Sequence, residues 1–483
     1  MLLFSEYLRE LMQTKQISVS ALARMSGVER TQLSKTLTGK RVLPYHILDE
    51  LIYHLKLTPQ EEKRFRSYYD AQFEKEGIRR SRELISKLFG NLSCLDFSAT
   101  AFEETRLLMN LEQYAGEKSV FMGETNVQFL LRMVFSEEMV RSDARLELTV
   151  PPTDSLLTSA LLYRYMDERM TMEISQIICF DASSAGADIN LYNLECFCRI
   201  FPICLLSKQH YHPYYYYDNR IVSRYSDPFP YFMVTHNCVV CLSEDASCAL
   251  LLRSSDAISY YQRYFRSLTA RCHSLIQYTG DPLEILSSYQ RCTDPDGFYM
   301  AMDQPCFGRF YSDEFVLSHI REGVPAFEQI LQAAKERFSL LRSVSHFYTV
   351  FSEEGLKRFM ENGTLDDYPV ELVPPFSPEE RAWFMQELAA AICSGDVTGC
   401  LFREKIFPDY LAMCTSAEKG IGFFTTSQFP LSDGLCSIWI NESNLCRAFH
   451  SWMTHLPGSS LTYTARETAD RLEQLALKGN EAK

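Results

Sequence analysis

The sequence has no run of eighteen apolar residues, the length that a helix needs to cross a membrane. Its first residues, MLLFSEYLRE, contain no basic segment followed by an apolar stretch, so we expect no signal peptide in them. We therefore expect a cytoplasmic protein with no membrane contact. A chain of 483 residues predicts two or three domains, and 46% hydrophobic residues are enough for sizeable cores.

The short motifs of common catalytic sites are also missing. The sequence contains no GxxxxGK[ST], no GxGxxG after a strand, no GxSxG and no HExxH. Its ten histidines are scattered without metal-ligand spacing, apart from His210 and His212. We therefore expect no catalytic residues, no metal and no cofactor, and a protein that is not an enzyme.

The sixteen cysteines predict buried thiols rather than disulfides, since most lie in apolar runs such as LECFCRIFPICLL. Cys238 and Cys241 form a CxxC pair, for which a zinc or redox site is the alternative. The pair lies in the strand-like run MVTHNCVVCLS, whose alternation places the two thiols on opposite faces. This favours structural cysteines.

The tyrosine-rich segment QHYHPYYYYDNR leaves two alternatives open. Its rings can form an aromatic cage for a cationic or planar ligand. They can equally belong to an edge strand or loop that covers the core.

Charge divides the chain into two parts. The whole chain carries a net charge of −14, but residues 1–80 hold 6 Lys and 8 Arg against 8 Glu and 2 Asp. A basic N-terminal part is thus attached to an acidic body. Its small excess of positive charge predicts few contacts per protomer with any polyanionic partner, so tight binding of such a partner needs dimerisation.

Residues 17–41, ISVSALARMSGVERTQLSKTLTGKR, carry the most specific pattern. They predict a helix from Val19 to Met25, a turn at Gly27, and a second helix from Arg30 to Leu37. The residues predicted to form the small core between these helices are Leu22, Val28 and Leu33. The second helix then presents polar side chains to solvent, as a helix that reads DNA bases must do.

The flanking residues supply three more helices. Phe4, Leu8, Leu11 and Met12 lie on one face of a helix that ends near Lys15. Leucines repeat at helical spacing after residue 41, and the capping box at residues 58–61 opens another helix. The result is five helices in about seventy residues.

This segment resembles the helix-turn-helix domain of the Cro/repressor (XRE) family over roughly residues 1–70. The matching residues are Leu22-Ala23, Gly27-Val28, Arg30-Thr31-Gln32-Leu33-Ser34-Lys35 and Gly39-Lys40-Arg41. Val19 occupies the place where the family usually has Gln, and Glu29 occupies the N-cap of the second helix.

The resemblance implies that the second helix enters the major groove of double-stranded DNA. The side chains that it assigns to base contacts are Arg30, Gln32, Ser34 and Lys35. Those that it assigns to phosphate contacts are Thr31, Thr38, Lys40 and Arg41.

After residue 90 the pattern alternates between helices and strands, which predicts an α/β body. Helices are predicted at 80–118, 124–140, 155–166, 190–206, 256–276, 313–342 and after the capping box at 377–380. Strands are predicted at RLELTV, EISQIICF, PYFMVTHNCVVCL, SCALLLR, YLAMCTS and GIGFFTTS.

A weak internal repeat runs through this body. CALLLRSSDAISYYQRYFRSL (248–268) aligns without gaps with CSIWINESNLCRAFHSWMTHL (436–456), each a strand, a polar turn and an amphipathic helix. This indicates two copies of one α/β unit, with chance similarity as the alternative.

The arrangement resembles the duplicated fold of the phospholipase D superfamily. The enzymes of that family carry a His-x-Lys motif in each half, whereas the nearest segments here are His236-Asn237-Cys238 and Met413-Cys414-Thr415. The resemblance therefore implies a non-catalytic body in which a cleft between the halves remains for a ligand.

Together these features predict a multidomain protein with an all-α head and an α/β body. The predicted parts are a helix-turn-helix domain (1–72), a helical linker (73–119), two α/β units (120–278 and 279–460) and a C-terminal helix or tail (461–483). The predicted function is a homodimeric, repressor-like transcription regulator whose body binds a small-molecule or peptide effector. A DNA-targeted enzyme of phosphodiesterase type and a protein-interaction module are the alternatives.

Overall fold

The computed structural model describes residues 4–44, 46–70, 76–95, 110–152, 172–182, 189–207, 209–218, 227–294, 297–430 and 435–481. Every structural statement below concerns these residues. The predicted helix at 155–166 and residues 96–109 of the predicted linker lie outside them.

The head consists of five helices, as predicted. They are α1 (Phe4–Thr14), α2 (Val19–Ser26), α3 (Arg30–Leu37), α4 (His46–Leu55) and α5 (Pro59–Asp70). Leu22, Val28 and Leu33 are buried in one core with apolar residues of α1, α4 and α5. The predicted capping box forms between Thr58 and Glu61, where each side chain accepts a hydrogen bond from the backbone N–H of the other.

The body contains twelve further described α-helices, one short 3-10 helix (Gly308–Phe310) and fifteen described strands. The helices are α6 (Glu76–Ser93), α7 (Leu111–Ala115), α8 (Glu124–Met139), α9 (Leu191–Leu206), α10 (Ser255–Thr269), α11 (Pro282–Arg291), α12 (Asp313–His319), α13 (Phe327–Ser343), α14 (Glu353–Asn362), α15 (Pro378–Ser394), α16 (Ser443–His455) and α17 (Ala465–Glu481). The strands are β1 (Val120–Met122), β2 (Arg145–Leu148), β3 (Glu173–Asp181), β4 (Tyr211–Asp218), β5 (Tyr231–Val234), β6 (Val239–Leu242), β7 (Cys248–Leu252), β8 (His273–Ser274), β9 (Gln277–Thr279), β10 (Gly297–Met302), β11 (His346–Phe351), β12 (Thr398–Leu401), β13 (Leu411–Ser416), β14 (Gly420–Thr425) and β15 (Ser437–Ile440).

The strands form two mixed sheets with matching topology. The first sheet has the order β1-β7-β6-β5-β2-β3-β4-β8, and the second has the order β12-β11-β10-β13-β14-β15-β9. In each sheet three strands are parallel, β2-β3-β4 in the first and β10-β11-β12 in the second. The remaining strands are antiparallel, and among them only β8 has no counterpart. The predicted fold class, an all-α head with an α/β body, is confirmed.

The body is built in layers. Helices α6, α9 and α16 lie between the two sheets, and their apolar side chains form one core with the facing sides of both. Phe201 of α9 contacts Phe423 of the second sheet with 4.2 Å between ring centroids. The outer side of the second sheet is covered by α11, α13, α15 and α17. On the outer side of the first sheet, α10 packs against Phe232 and its neighbours.

Helix α6 follows the head in the chain and is part of the body's central core. Its residues Ile85, Leu88, Phe89 and Leu92 are buried between α9 and α16. The indole N–H of Trp452 on α16 donates a hydrogen bond to the hydroxyl of Ser86 at 2.9 Å. The helix that leads from the head is therefore fixed within the body.

Three long helices predicted from the sequence are wrong in extent. The helix predicted at 80–118 ends at Ser93 in α6, and the described residues 110–118 form only the short helix α7. The helix predicted at 256–276 ends at Thr269, and the chain then forms the short strands β8 and β9. The helix predicted at 313–342 is two helices, α12 and α13. They are separated by a turn that contains Gly323 with φ +87° and Pro325, and a proline interrupts a helix because it lacks a backbone N–H.

The tyrosine-rich segment is a strand. Residues 211–218 form β4, which pairs in parallel with β3 and along two residues with β8. Tyr211 and Tyr215 are buried in the core, whereas Tyr216 and Tyr217 are exposed. The strand alternative thus holds for this segment.

The predicted boundaries of the domains stay predictions.

Candidate nucleic-acid interface

The turn between α2 and α3 sets the position of the helix predicted to read DNA. Ser18 caps α2 by accepting a hydrogen bond from the backbone N–H of Ala21 at 3.2 Å. Gly27 ends α2 in the left-handed conformation, with φ +67° and ψ 6°. An added Cβ would meet nothing within 4 Å there, so glycine is required by the backbone conformation and not by lack of space.

Helix α3 begins at Arg30 after the N-cap residue Glu29, as predicted. The Glu29 side chain makes no hydrogen bond to the backbone of α3. Its carboxylate instead accepts a hydrogen bond from the Thr31 hydroxyl at 2.7 Å. The negative charge at this end of the helix suits the helix dipole.

The side chains predicted to contact bases lie on the outer face of α3. Arg30, Ser34 and Lys35 are exposed, and Gln32 is half-buried. On the inner face Leu33, Thr36 and Leu37 are buried against the core of the head. The polar face of α3 is therefore available for base edges while its apolar face holds the helix in place.

The side chains predicted to contact phosphates lie at both ends of α3. Thr31, Thr38, Lys40 and Arg41 are all exposed. The Thr38 hydroxyl donates a hydrogen bond to the backbone carbonyl of Lys35 at 2.9 Å, so its hydrogen is engaged within the helix. Thr31 is engaged with Glu29. Both threonines must rotate their hydroxyls before they can donate to a phosphate.

The structure adds two arginines to this region. Arg9 of α1 donates to the carbonyl of Leu37 at 2.5 Å and thereby fixes the C-terminal end of α3. Arg24, in the last turn of α2, is an exposed cation on the neighbouring helix. Sequence reasoning did not select either one, because it weighed only the second helix of the motif. Arg24 could have been identified from the sequence, because it lies at the end of an amphipathic helix near the predicted turn.

In the body, the two histidines with close spacing meet a carboxylate. The Glu173 carboxylate contacts Nδ1 of His210 at 2.5 Å and Nε2 of His212 at 2.9 Å. Burial alone would raise the pKa of Glu173, but these hydrogen bonds outweigh it and lower the pKa. The three residues line a surface pocket of about 380 Å³ together with Tyr214 and Tyr278.

The other residues of the body that the sequence analysis considered are paired or packed within the fold. His236 lies between the carboxylates of Glu138 and Asp143, at 2.5 and 3.4 Å. Met413 to Thr415 lie on β13 and are buried. Cys238 and Cys241 face different apolar clusters on opposite sides of the first sheet, and all sixteen cysteines are free thiols.

Neither a metal-binding cluster nor a membrane-spanning helix occurs among the described residues. No group of three His, Cys, Asp or Glu side chains is arranged there to hold a metal ion. No helix in that part of the chain is long and apolar enough to cross a bilayer.

Comparisons with known proteins bear mainly on the head. No curated protein matches the chain. Among solved structures, a phosphatidylserine synthase from Haemophilus influenzae Rd KW20 matches with 10% identity and a TM-score of 0.25, covering 77% of this chain and 97% of the other. That score is too low to bear on the body. A family model described as a Cro/C1-type helix-turn-helix DNA-binding domain matches residues 7–61, the residues that hold the geometry above. Residues 7–61 are therefore a Cro/C1-type helix-turn-helix DNA-binding domain.

Proposed function

We propose that this protein is a sequence-specific transcription regulator that binds its operator as a homodimer and is controlled by an effector bound to its body. The observation that carries the proposal is the exposed polar face of α3 on a closed helical scaffold. Arg30 and Lys35 extend from that face with Ser34 between them. Such residues recognise guanine and neighbouring bases through the major groove.

The weak net positive charge of the head supports a dimeric complex. Beside the residues assigned to bases, the exposed cations around α3 are Arg24, Lys40 and Arg41, which are enough for a few phosphate contacts only. Two heads on successive major grooves would double these contacts and read two half-sites. We infer that the two copies act together in the cytoplasm, where the DNA is.

The position of α6 supports control by the body. Its buried face touches α9 of the first unit and α16 of the second, and its Arg82 donates to Ser451 at 3.2 Å. A ligand that changes how the two units pack would also move α6, and with it the start of the chain that leads to the head. This would change the spacing of the two recognition helices.

The pocket around Glu173 is our candidate effector site. It combines a carboxylate, two imidazoles and three tyrosines at the edge of the first sheet, which suits a small polar molecule better than an apolar one. We propose that it binds without catalysis. Release of a substituted or cleaved ligand by the purified protein would contradict that statement.

The experiment that tests the proposal is selection of DNA by the purified full-length protein. Fragments of the source genome, including those that flank its own gene, would be incubated with the protein, recovered and sequenced. We expect a few fragments that share a two-fold symmetric sequence. Uniform recovery of all fragments would contradict a site-specific regulator.

Two double variants test whether α3 is responsible for this selection of DNA fragments. Arg30→Ala/Lys35→Ala should lose the enrichment, whereas Lys118→Ala/Arg132→Ala should keep it. The second variant removes the same charge from exposed positions of the body. Equal loss in both variants would mean that general electrostatics, and not base contacts by α3, selected the fragments.

A further inference from the structure

The internal repeat provides two equivalent helices in different surroundings. Helix α10 follows β7 in the first unit, and α16 follows β15 in the second, each at the same place in the strand order. Ser254 and Glu442 cap the two helices, and each side chain accepts hydrogen bonds from the first turn. The gapless alignment of 248–268 with 436–456 pairs these two caps with each other.

In the second unit, the outward face of this helix is covered. Ala448 and Trp452 of α16 are 0% and 1% exposed. Helix α6 lies against them, and its Ser86 and Arg82 make hydrogen bonds to Trp452 and Ser451. The face that α16 turns away from its own sheet is thus a helix–helix contact.

In the first unit, the equivalent face is bare. The alignment pairs Ala448 with Tyr260 and Trp452 with Tyr264, and these tyrosines are 59% and 43% exposed. Their rings are nearly parallel, at 13° and 6.4 Å between centroids. Only Phe265 of α10 is buried, on the side that faces the sheet.

The bare surface continues along the edge of the first sheet. Val120 and Met122 of β1 are 53% and 66% exposed. Val120 pairs with Leu250 of β7, and Leu250 packs with the apolar cluster under α10. Residues paired across strands share one face of the sheet, so β1 adds apolar side chains to the face that carries α10. Apolar surface of this kind is typical of protein–protein interfaces.

The charges on α10 are complementary to those of a second α10. Asp256, Tyr260, Arg263, Tyr264 and Ser267 follow one stripe of the helix, and all are exposed. Within the described part of the chain, no ion pair involves Asp256 or Arg263. If two copies of the helix cross in antiparallel orientation about a two-fold axis near Tyr260, Asp256 of each copy lies beside Arg263 of the other.

We propose that the exposed face of α10, with β1 beside it, is the surface through which two copies of this chain dimerise. The second copy then covers the exposed face of α10, as α6 covers the equivalent face of α16. Tyrosine and arginine are the residue types that contribute most to such interfaces. A second copy satisfies both Asp256 and Arg263, whereas a DNA backbone would leave the carboxylate of Asp256 facing phosphates.

This inference rests on the proposed function in one respect, because it supplies the pairing that two operator half-sites require. It is tested without DNA. A dimer that binds no DNA would leave this surface standing and contradict the regulator. A monomer that binds one half-site would contradict this surface and leave the regulator standing.

The test is sedimentation velocity of the full-length protein over a wide range of concentrations. We expect a monomer–dimer equilibrium that Tyr260→Glu/Tyr264→Glu shifts to monomer. The control is Leu477→Glu, an exposed leucine on α17, which should leave the equilibrium unchanged. Circular dichroism of each variant checks that the fold is intact.

Charge exchange provides the sharper test. Asp256→Arg and Arg263→Asp should each weaken the dimer at least about tenfold, because like charges then face each other. The double variant Asp256→Arg/Arg263→Asp restores opposite charges across the two-fold axis and should recover most of the affinity. A wild type that is monomeric throughout, a dimer indifferent to the tyrosine changes, or a double variant weaker than either single one would overturn the proposal.

Discussion

On the head, Arg30, Lys35 and Lys40 are exposed to solvent, whereas in the body Asp303, Arg358 and Asp366 are packed together at the ends of β10 and β11. Asp303 and Asp366 are 2% and 0% exposed, and Arg358 pairs with them at 2.6 and 2.7 Å. The exposed charges of Arg30, Lys35 and Lys40 are therefore available to another molecule. Charges in this part of the body are already paired within the chain, so the same change, loss of an arginine, should affect binding in one region and folding in the other.

The largest effect should come from breaking the buried group in the body. Arg358→Met leaves two buried carboxylates without their cation and should lower the free energy of unfolding by about 3–5 kcal/mol. Urea unfolding of the full-length protein measures this. Arg132→Met, at an exposed position, is the control and should change stability little. Equal stability of the two variants would mean that burial of the Asp303–Arg358–Asp366 group does not set the cost of losing an arginine.

A smaller effect is expected in the turn of the head. Gly27→Val places a β-branched side chain at φ +67°, which should cost about 1–2 kcal/mol of head stability. Gly27→Asn should cost less, because asparagine tolerates the left-handed region. Thermal unfolding of both variants tests the comparison. If valine were tolerated as well as asparagine, the backbone conformation would not be what glycine supplies.

A third effect concerns the pH dependence of stability. Burial raises the pKa of Asp367 from 3.8 to about 6, against the opposing charge of Arg337. The folded protein therefore holds this proton more firmly than the unfolded chain does, so the contribution of Asp367 to stability falls as pH rises from about 4 to about 6. Above pH 6 it is constant.

The variant Asp367→Asn should flatten this part of the pH dependence, because it cannot titrate. Melting temperatures of wild type and variant across that range provide the measurement. The head does not contain the Asp367–Arg337 pair, so the melting temperature of the head serves as the internal reference. Parallel curves for the two proteins would show that Asp367 does not titrate as its burial implies.

The sequence predicted the head far better than the body, and the reason is the range of the interactions. Helices α2 and α3 are bounded by local signals, the Ser18 cap and the Gly27 turn, and their predicted limits agree with the structure within one residue. Strands β10, β11 and β12 were not predicted. They are short, and each is defined by pairing with a strand far away in the chain, which no local pattern records.

The candidate site shows the same limit. The exposed residues of α3 could be identified from helical spacing alone, since one face had to be buried. The contact of Glu173 with His210 and His212 could not be predicted in this way, because it depends on the pairing of β3 with β4. The engagement of Thr31 with Glu29 was likewise beyond spacing arguments, although the residues are neighbours in the sequence, since it depends on side-chain rotamers.

In the proposed regulator, α3 reads bases with side chains that folding does not need. Fluorescence anisotropy with a selected operator and with a scrambled duplex, in a series of salt concentrations, tests it directly. We predict that Arg30→Ala/Lys35→Ala melts like the wild type but loses about 1–3 kcal/mol of operator binding per base contact removed, with much less change for the scrambled duplex. Equal losses on both duplexes, or none on either, would contradict the claim.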